Sequence, residues 1–207
     1  MSETAVLVFA RAPVPGEAKT RLVPALGIDG AAAVSAALTR RALRVAREAG
    51  LGPVELWCAP DCGHAFFTAC AKEGGITLQA QCAGDIGERM AHAFELTLCR
   101  HGSALLLGAD AVSLDASDLR AAAGSLCDHE AVFAPAEDGG YLLVGLTRPQ
   151  PSLFHGIDWG SDRVWPQTRR RLDDLGLRTR VLATGYDLDR PEDWRRALRE
   201  GRLEDPS

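Results

Sequence analysis

Apolar residues fall along this chain in two kinds of run. Short unalternating blocks, such as Val6-Leu7-Val8-Phe9 and Ala104-Leu105-Leu106-Leu107, are interleaved with longer stretches where apolar positions recur every three or four residues. Unbroken β-branched and aliphatic blocks read as strands buried on both faces, the type found in parallel sheets covered by helical crossovers. After the first strand, Val34, Leu38, Ala42, Val45 and Ala49 give residues 31–49 a helical period ended by Gly50. A strand over 54–58, a helix over 65–72 and a partly exposed strand over 76–80 follow. A long amphipathic helix over 86–99 carries Ile86, Met90, Ala93, Phe94 and Leu98 on one face and leads to a central strand over 104–107. A helix near 117–126 comes next, then apolar runs at 131–134 and 141–146 split by Glu137-Asp138-Gly139-Gly140. The Asp-Gly turn predicts a hairpin, and therefore one antiparallel departure in an otherwise parallel sheet. A helix over 163–175, a strand over 178–182 and a helix over 191–199 complete the order.

The first strand runs into Phe9-Ala-Arg-Ala-Pro-Val-Pro-Gly-Glu-Ala-Lys-Thr-Arg-Leu22. Ligands of open α/β sheets bind at the carboxyl ends of strands, which is where this segment sets Arg11, Lys19 and Arg21. Pro13 and Pro15 restrict the loop, and Gly16 lets backbone approach a ligand without a side chain in the way. Three cations on such a loop suit a pyrophosphate, against the plainer alternative of a solvated surface loop. A Walker A loop is excluded because Ala18, not glycine, precedes Lys19-Thr20, and the three spaced glycines of the dinucleotide turn are absent.

Composition narrows the partner. With 207 residues, 46% of them hydrophobic, and no internal repeat, the chain suits one domain over 1–207. A net charge of −5 argues against nucleic acid or an anionic membrane surface and for a small anion bound at one positive loop. No basic leader opens the chain and no apolar run of about 18 residues is expected, so a soluble cytoplasmic protein follows. Six cysteines without a C-x-x-C pair read as reduced core thiols, and the scattered histidines build no zinc helix.

Carboxylates are candidates to meet the cations. Asp110, just past the central strand, reaches the same sheet edge if the strands are parallel, and a divalent cation of the Mg²⁺ or Mn²⁺ type would bridge it to phosphate oxygens. Asp187 and Asp189, one residue apart, face one site if that stretch is extended. Each has an ordinary alternative: an Asx turn for Asp110, and for Asp189 the role of helix cap in Asp189-Arg190-Pro191-Glu192. Glu137 and Asp138 either serve the hairpin turn alone or hold a hydroxylated acceptor. Gly84-Asp85-Ile86-Gly87-Glu88-Arg89 opens a helix with a possible anion site at Arg89, against simple capping by Asp85.

In order and over nearly the whole chain, FARAPVPGEAKTRL, GDIGERM, LLLGAD, APAEDGGYLLVGL, Ile157-Asp158-Trp159 and DLDRPEDW resemble the DUF2064 family, also described as radical-SAM and selenodomain-associated transferase 1. The resemblance implies an α/β fold, the three-layer αβα Rossmann-like arrangement of nucleotide-diphospho-sugar transferases. That fold is shared with GT-A glycosyltransferases and molybdenum-cofactor guanylyltransferases and has a mixed, mostly parallel sheet. It further implies a metal-dependent transferase using a nucleotide or nucleotide-sugar donor and a small-molecule acceptor. Glycosyl transfer comes first, with nucleotidyl transfer releasing pyrophosphate, or a nucleotide-binding module that has lost catalysis, as alternatives. Ala10, Arg11, Gly16, Lys19, Arg21 and Arg89 would bind the donor, and Asp110, Asp187 and Asp189 the Mg²⁺ or Mn²⁺. Lys19, Arg21, Asp110 and, as base, Asp138 or Glu137 would carry catalysis. Ala111-Val112 departs from the Cys-Pro usual in the family at this point, which puts the rigidity of the Asp110 loop in question.

Overall fold

The structure is a computed structural model, described over residues 3–204. Seven strands form one sheet: β1 (Thr4–Arg11), β2 (Val54–Ala59), β3 (Thr77–Ala80), β4 (Ser103–Gly108), β5 (Ala131–Pro135), β6 (Tyr141–Leu146) and β7 (Thr179–Val181). Six helices connect them: α1 (Val23–Ala49), α2 (Ala65–Gly74), α3 (Ile86–Leu98), α4 (Ala116–Ser125), α5 (Val164–Asp174) and α6 (Pro191–Arg199). The spatial order is β3-β2-β1-β4-β6-β5-β7, with β6 antiparallel to both of its neighbours and every other pairing parallel. This is the mixed, mostly parallel α/β sheet that the hydrophobic pattern and the Asp-Gly turn predict.

Burial follows from the pleat. In β1, Val6, Val8 and Ala10 face one core with α1, α2 and α4, while Ala5, Leu7 and Phe9 face another with α3, α5 and the 3-10 turn Pro151–Phe154. A third cluster joins the first half of α1 to Val112, Tyr186, Leu188 and Trp194 of α6. It lies against the segments that follow β4 and β7, so it pins the loops at the sheet's carboxyl edge.

Three expectations change. Helix α1 starts at Val23, not at residue 31, because a first turn carrying Pro24 joins the main helix across Gly27, whose φ of 71° breaks the helical geometry. The helical stretch Thr20–Ala49 does reach the length and apolar character of a membrane-crossing segment, contrary to the reading that no such run exists. Here Val34, Leu38, Ala42 and Val45 are buried against the protein's own core. All six cysteines are free, but only Cys58 and Cys70 are buried; Cys99 and Cys127, at the ends of α3 and α4, are exposed.

Candidate functional site

Strand order reverses at β1, with β2 and β3 added on one side and β4 on the other, all parallel, and such a switch point opens a crevice at the carboxyl ends of β1 and β4. There Ala109 N–H donates to the Phe9 carbonyl at 2.9 Å, zipping the two ends together. Beyond Arg11 the loop tightens on itself: Glu17 and Ala18 N–H both donate to the Val14 carbonyl at 3.0 Å, with Gly16 at φ 83°. Ala18 and Leu22 are buried on either side of Lys19. Lys19 is the one non-glycine residue with positive φ (47°) among the described residues, a conformation that costs energy for a side-chain-bearing residue and concentrates at functional sites. That backbone aims Nζ inward, to 2.8 Å from Asp110 Oδ2 and 3.8 Å from Asp189 Oδ1. The Arg21 guanidinium grips the other oxygen of Asp189.

The acids arrive by separate routes. Asp110 folds back over Gly108, where an added Cβ would sit 2.6 Å from Asp110 Oδ1, so the glycine makes room for the carboxylate. The 185–189 segment is tied down beside it: Leu188 N–H donates to the Asp110 carbonyl at 3.0 Å, and the Ser113 hydroxyl donates to the Tyr186 carbonyl and accepts from Tyr186 N–H. Asp189 is not the cap of α6. That position belongs to Arg190, and Asp193 accepts from both Asp189 and Arg190 N–H, leaving the Asp189 carboxylate free for Arg21 and Lys19. Ala111 and Val112, where Cys-Pro is usual, are both buried, and Val112 N–H makes a hydrogen bond to the Asp110 carbonyl that a proline could not.

Charge follows position. Burial alone would raise the Asp110 pKa, but the adjacent Lys19 ammonium outweighs it and holds the carboxyl below its ordinary range. Burial likewise opposes the charge on Lys19, and Asp110 with Asp189 reverses this and raises the lysine. For Asp187, burial, then repulsion from Asp110 and Asp138, outweighs the attraction of Lys19 and pushes it up to about 7.

Two cavities meet at this cluster. One, of about 460 Å³, is lined by Ala10, Arg11, Lys19 and Arg21 with Ser35, Thr39 and Asp110. The other, of about 610 Å³, is acidic and aromatic, with Glu137, Asp138, Asp162, Asp187, Phe9, Tyr141 and Trp159 on its walls. Asp110, Asp189 and Arg21 line both. The β5–β6 connection supplies Glu137 and Asp138; Glu137 is taken up by Arg196 at 2.9 Å, and one oxygen of Asp138 accepts from Gly140 N–H at 2.9 Å. Gly139, at φ 92°, packs directly on the Asp162 backbone and so brings residues 159–162 to the wall.

Some expected residues are placed elsewhere. Gly16 shapes the loop without lining either cavity, and Arg89 lines neither, its Nε donating to the Gly84 carbonyl at 3.0 Å while Asp85 and Glu88 form a capping box. The aromatic wall of Tyr141 and Trp159 and the carboxylate of Asp162 were not singled out from sequence as site residues; the signals present were the APAEDGGYLLVGL motif, which contains Tyr141, and the Ile157-Asp158-Trp159 motif. The donor set around Asp110 is all oxygen, which suits Mg²⁺ or Mn²⁺. Among the described residues no three acidic, histidine or cysteine side chains form a ready-made metal cage. The expected set of Asp110, Asp187 and Asp189 is therefore not assembled as a three-ligand group, and Lys19 Nζ stands against two of its members; a Mg²⁺ or Mn²⁺ there would rest on one or two carboxylates, with phosphate oxygens and water completing its shell.

Comparison with known proteins agrees with the fold. A crystallised protein from Desulfovibrio desulfuricans G20, provisionally named a nucleotide-diphospho-sugar transferase, is 29% identical, covering 92% of this chain and 84% of its own, with a TM-score of 0.82. Rv0371c from Mycobacterium tuberculosis H37Rv, crystallised with manganese, is 20% identical over 96% of this chain and 99% of its own (TM-score 0.57). The Methanothermobacter nucleotidyl transferase Mth528 is 12% identical over 97% of each chain (TM-score 0.65). The last two likenesses establish the fold alone. No curated protein matches the chain. The model of the family described as "Uncharacterized protein conserved in bacteria (DUF2064)" matches residues 42–161, more than half of the sequence and inclusive of Asp110, Asp138 and Trp159, and the chain belongs to that family.

Proposed function

We propose that this protein is a divalent-metal-dependent transferase acting on a nucleotide-activated donor, and that its reaction is glycosyl transfer from a nucleoside-diphosphate sugar to a small hydroxylated acceptor. The observation that carries this reading is the Lys19–Asp110–Asp189–Arg21 cluster set where a cationic cleft opens into an acidic, aromatic chamber. The cleft suits a diphosphate; the chamber suits a sugar and its acceptor, with aromatic faces to stack against and carboxylates to accept from hydroxyls. The fold shared with a protein provisionally named a nucleotide-diphospho-sugar transferase and with a manganese-bound neighbour supports it.

Asp110, with Asp189 or Asp187, would hold Mg²⁺ or Mn²⁺, which when bound neutralises charge on the diphosphate as it departs. Lys19, Arg21 and Arg11 bind the phosphates, and Lys19 and Arg21 stabilise the negative charge that builds on the leaving group. As the acceptor oxygen bonds to the anomeric carbon and the carbon–phosphate-oxygen bond breaks, Asp138 accepts the acceptor's proton. Glu137 is less available for this, being paired with Arg196.

Product identity tests the reading. A thermal-shift panel of nucleotides and sugar nucleotides with Mn²⁺ first finds the donor, since a ligand at 100 times its dissociation constant adds about 2.7 kcal/mol of apparent stability. Incubation with that donor and an acceptor panel then decides: a nucleoside diphosphate released from a sugar nucleotide supports glycosyl transfer. Pyrophosphate released from a triphosphate replaces it with nucleotidyl transfer, and binding without turnover replaces it with a nucleotide-binding module.

A further inference from the structure

Lys19 occupies a position that a phosphate-binding lysine does not require. Its ammonium faces away from open solvent, with the side chain only 14% exposed, and bridges the two carboxylates best placed to take a divalent cation. Its backbone is fixed, because Leu22 N–H donates to the Lys19 carbonyl at 2.8 Å and its neighbours Ala18 and Leu22 are buried. The residue also lines the phosphate cleft beside Arg11, Ser35 and Thr39. A compact ammonium on a flexible stem can change partners from carboxylate to phosphate with little else moving, which a guanidinium fork gripping one carboxylate does less readily.

We infer that Lys19 is a latch between metal and donor: Nζ neutralises Asp110 and Asp189 until a donor phosphate draws it away, which frees the carboxylates for the divalent cation, so that nucleotide and metal bind cooperatively. The inference rests on Asp110 being a metal ligand, as in the reading above. Metal arriving alone must displace an ammonium 2.8 Å from Asp110, whereas metal arriving with a diphosphate finds that ammonium already re-paired. Linkage makes the effect reciprocal, so the donor tightens metal binding by the same factor as metal tightens the donor.

The test is direct binding of Mn²⁺ without nucleotide, with free Mn²⁺ counted by electron paramagnetic resonance. Lys19→Gln is expected to bind Mn²⁺ alone at least about fivefold more tightly than the wild type, the lower end of ordinary coupling factors. Arg11→Gln, which removes a cation from the same cleft but not from these carboxylates, is expected to change it less than about twofold under the same coupling scale. Equal or weaker Mn²⁺ binding by Lys19→Gln, or an equal gain in Arg11→Gln, overturns the latch. The wild type provides a second arm that needs no variant: the thermal shift with Mn²⁺ and a nucleoside diphosphate together should exceed the sum of the two separate shifts. Additive shifts overturn the latch while leaving Asp110 as a ligand. A wild type that takes up no Mn²⁺, with or without any of the common nucleoside diphosphates, removes the metal reading and the latch with it.

Discussion

The two cavities that share Asp110 are built from opposite materials. The smaller draws its cations from one stretch of chain, Arg11 to Arg21, bent by glycine and proline into a loop against two strand ends. The larger gathers its acids from the β5–β6 connection, from residues 159–162 and from 185–193. A single anion-binding surface would need only the first. An acidic chamber directly beside it repels phosphate, so it is suited to the uncharged, hydroxylated part of a donor and to an acceptor without phosphate. Asp110, Asp189 and Arg21, with Phe9, form the shared wall, and under the proposed function a group transferred from one partner to the other would cross there.

Changes to that wall should have the largest effect. Asp110→Asn is expected to lower turnover on the order of 10²-fold or more and, by taking the 2.8 Å partner from the largely buried Lys19 ammonium, to lower the melting temperature as well. Gly108→Ala, which pushes the same carboxylate aside by its Cβ, should follow it in direction, and steady-state kinetics with thermal melts check both. Changes to one side alone should separate the cavities. Arg11→Gln, in the cationic cleft only, is expected to raise the donor KM about tenfold, the low end for a charged hydrogen bond, with the difference shrinking in high salt. Asp162→Asn should leave donor affinity unchanged and raise the acceptor KM a few-fold, on the order of one hydrogen bond, whereas Asp138→Asn, which removes the base, should lower kcat about 10²-fold with donor affinity unchanged; an equal rise in KM for both substrates would merge the two cavities into one.

The smallest effect concerns Asp187, whose carboxyl titrates near 7 in the folded protein, well above its ordinary value, because of burial and its neighbours Asp110 and Asp138. The folded state therefore holds this proton more tightly than the unfolded state, and the contribution of Asp187 to stability declines as pH rises from about 4 through 7. Asp187→Asn, which mimics the protonated form, should melt like the wild type at pH 5 and at higher temperature than the wild type at pH 8. Parallel melting curves for the two proteins across that range would place the titration elsewhere.

Unequal parts of this were legible in the sequence. The unalternating runs at β1 and β4 exposed the parallel core, since only strands covered on both faces tolerate them, and the Asp-Gly turn exposed antiparallel β6. Local spacing also put Arg11, Lys19, Arg21 and Asp110 at one sheet edge. It could not show the 2.8 Å contact between Lys19 and Asp110, which lie 91 residues apart and meet only because β1 and β4 are neighbours. Asp189 was ambiguous for a local reason: Asp189 and Arg190 are both compatible with starting a helix at Pro191, and the choice was made by Asp193 and by the cations facing Asp189. The start of α1 was hidden because Gly27 interrupts the period without ending the helix. The aromatic wall was hidden because Tyr141 and Trp159 belong to segments that meet only across the sheet edge.

The most direct test of the shared wall is calorimetric titration of nucleoside diphosphates and sugar nucleotides into the wild type and Asp110→Asn, each with Mn²⁺ and with chelator. Mn²⁺ should tighten binding to the wild type and fail to tighten it in Asp110→Asn. Affinity that ignores Mn²⁺ in the wild type, or a gain that survives loss of the Asp110 carboxylate, would contradict a metal-bridged donor at the junction of the two cavities.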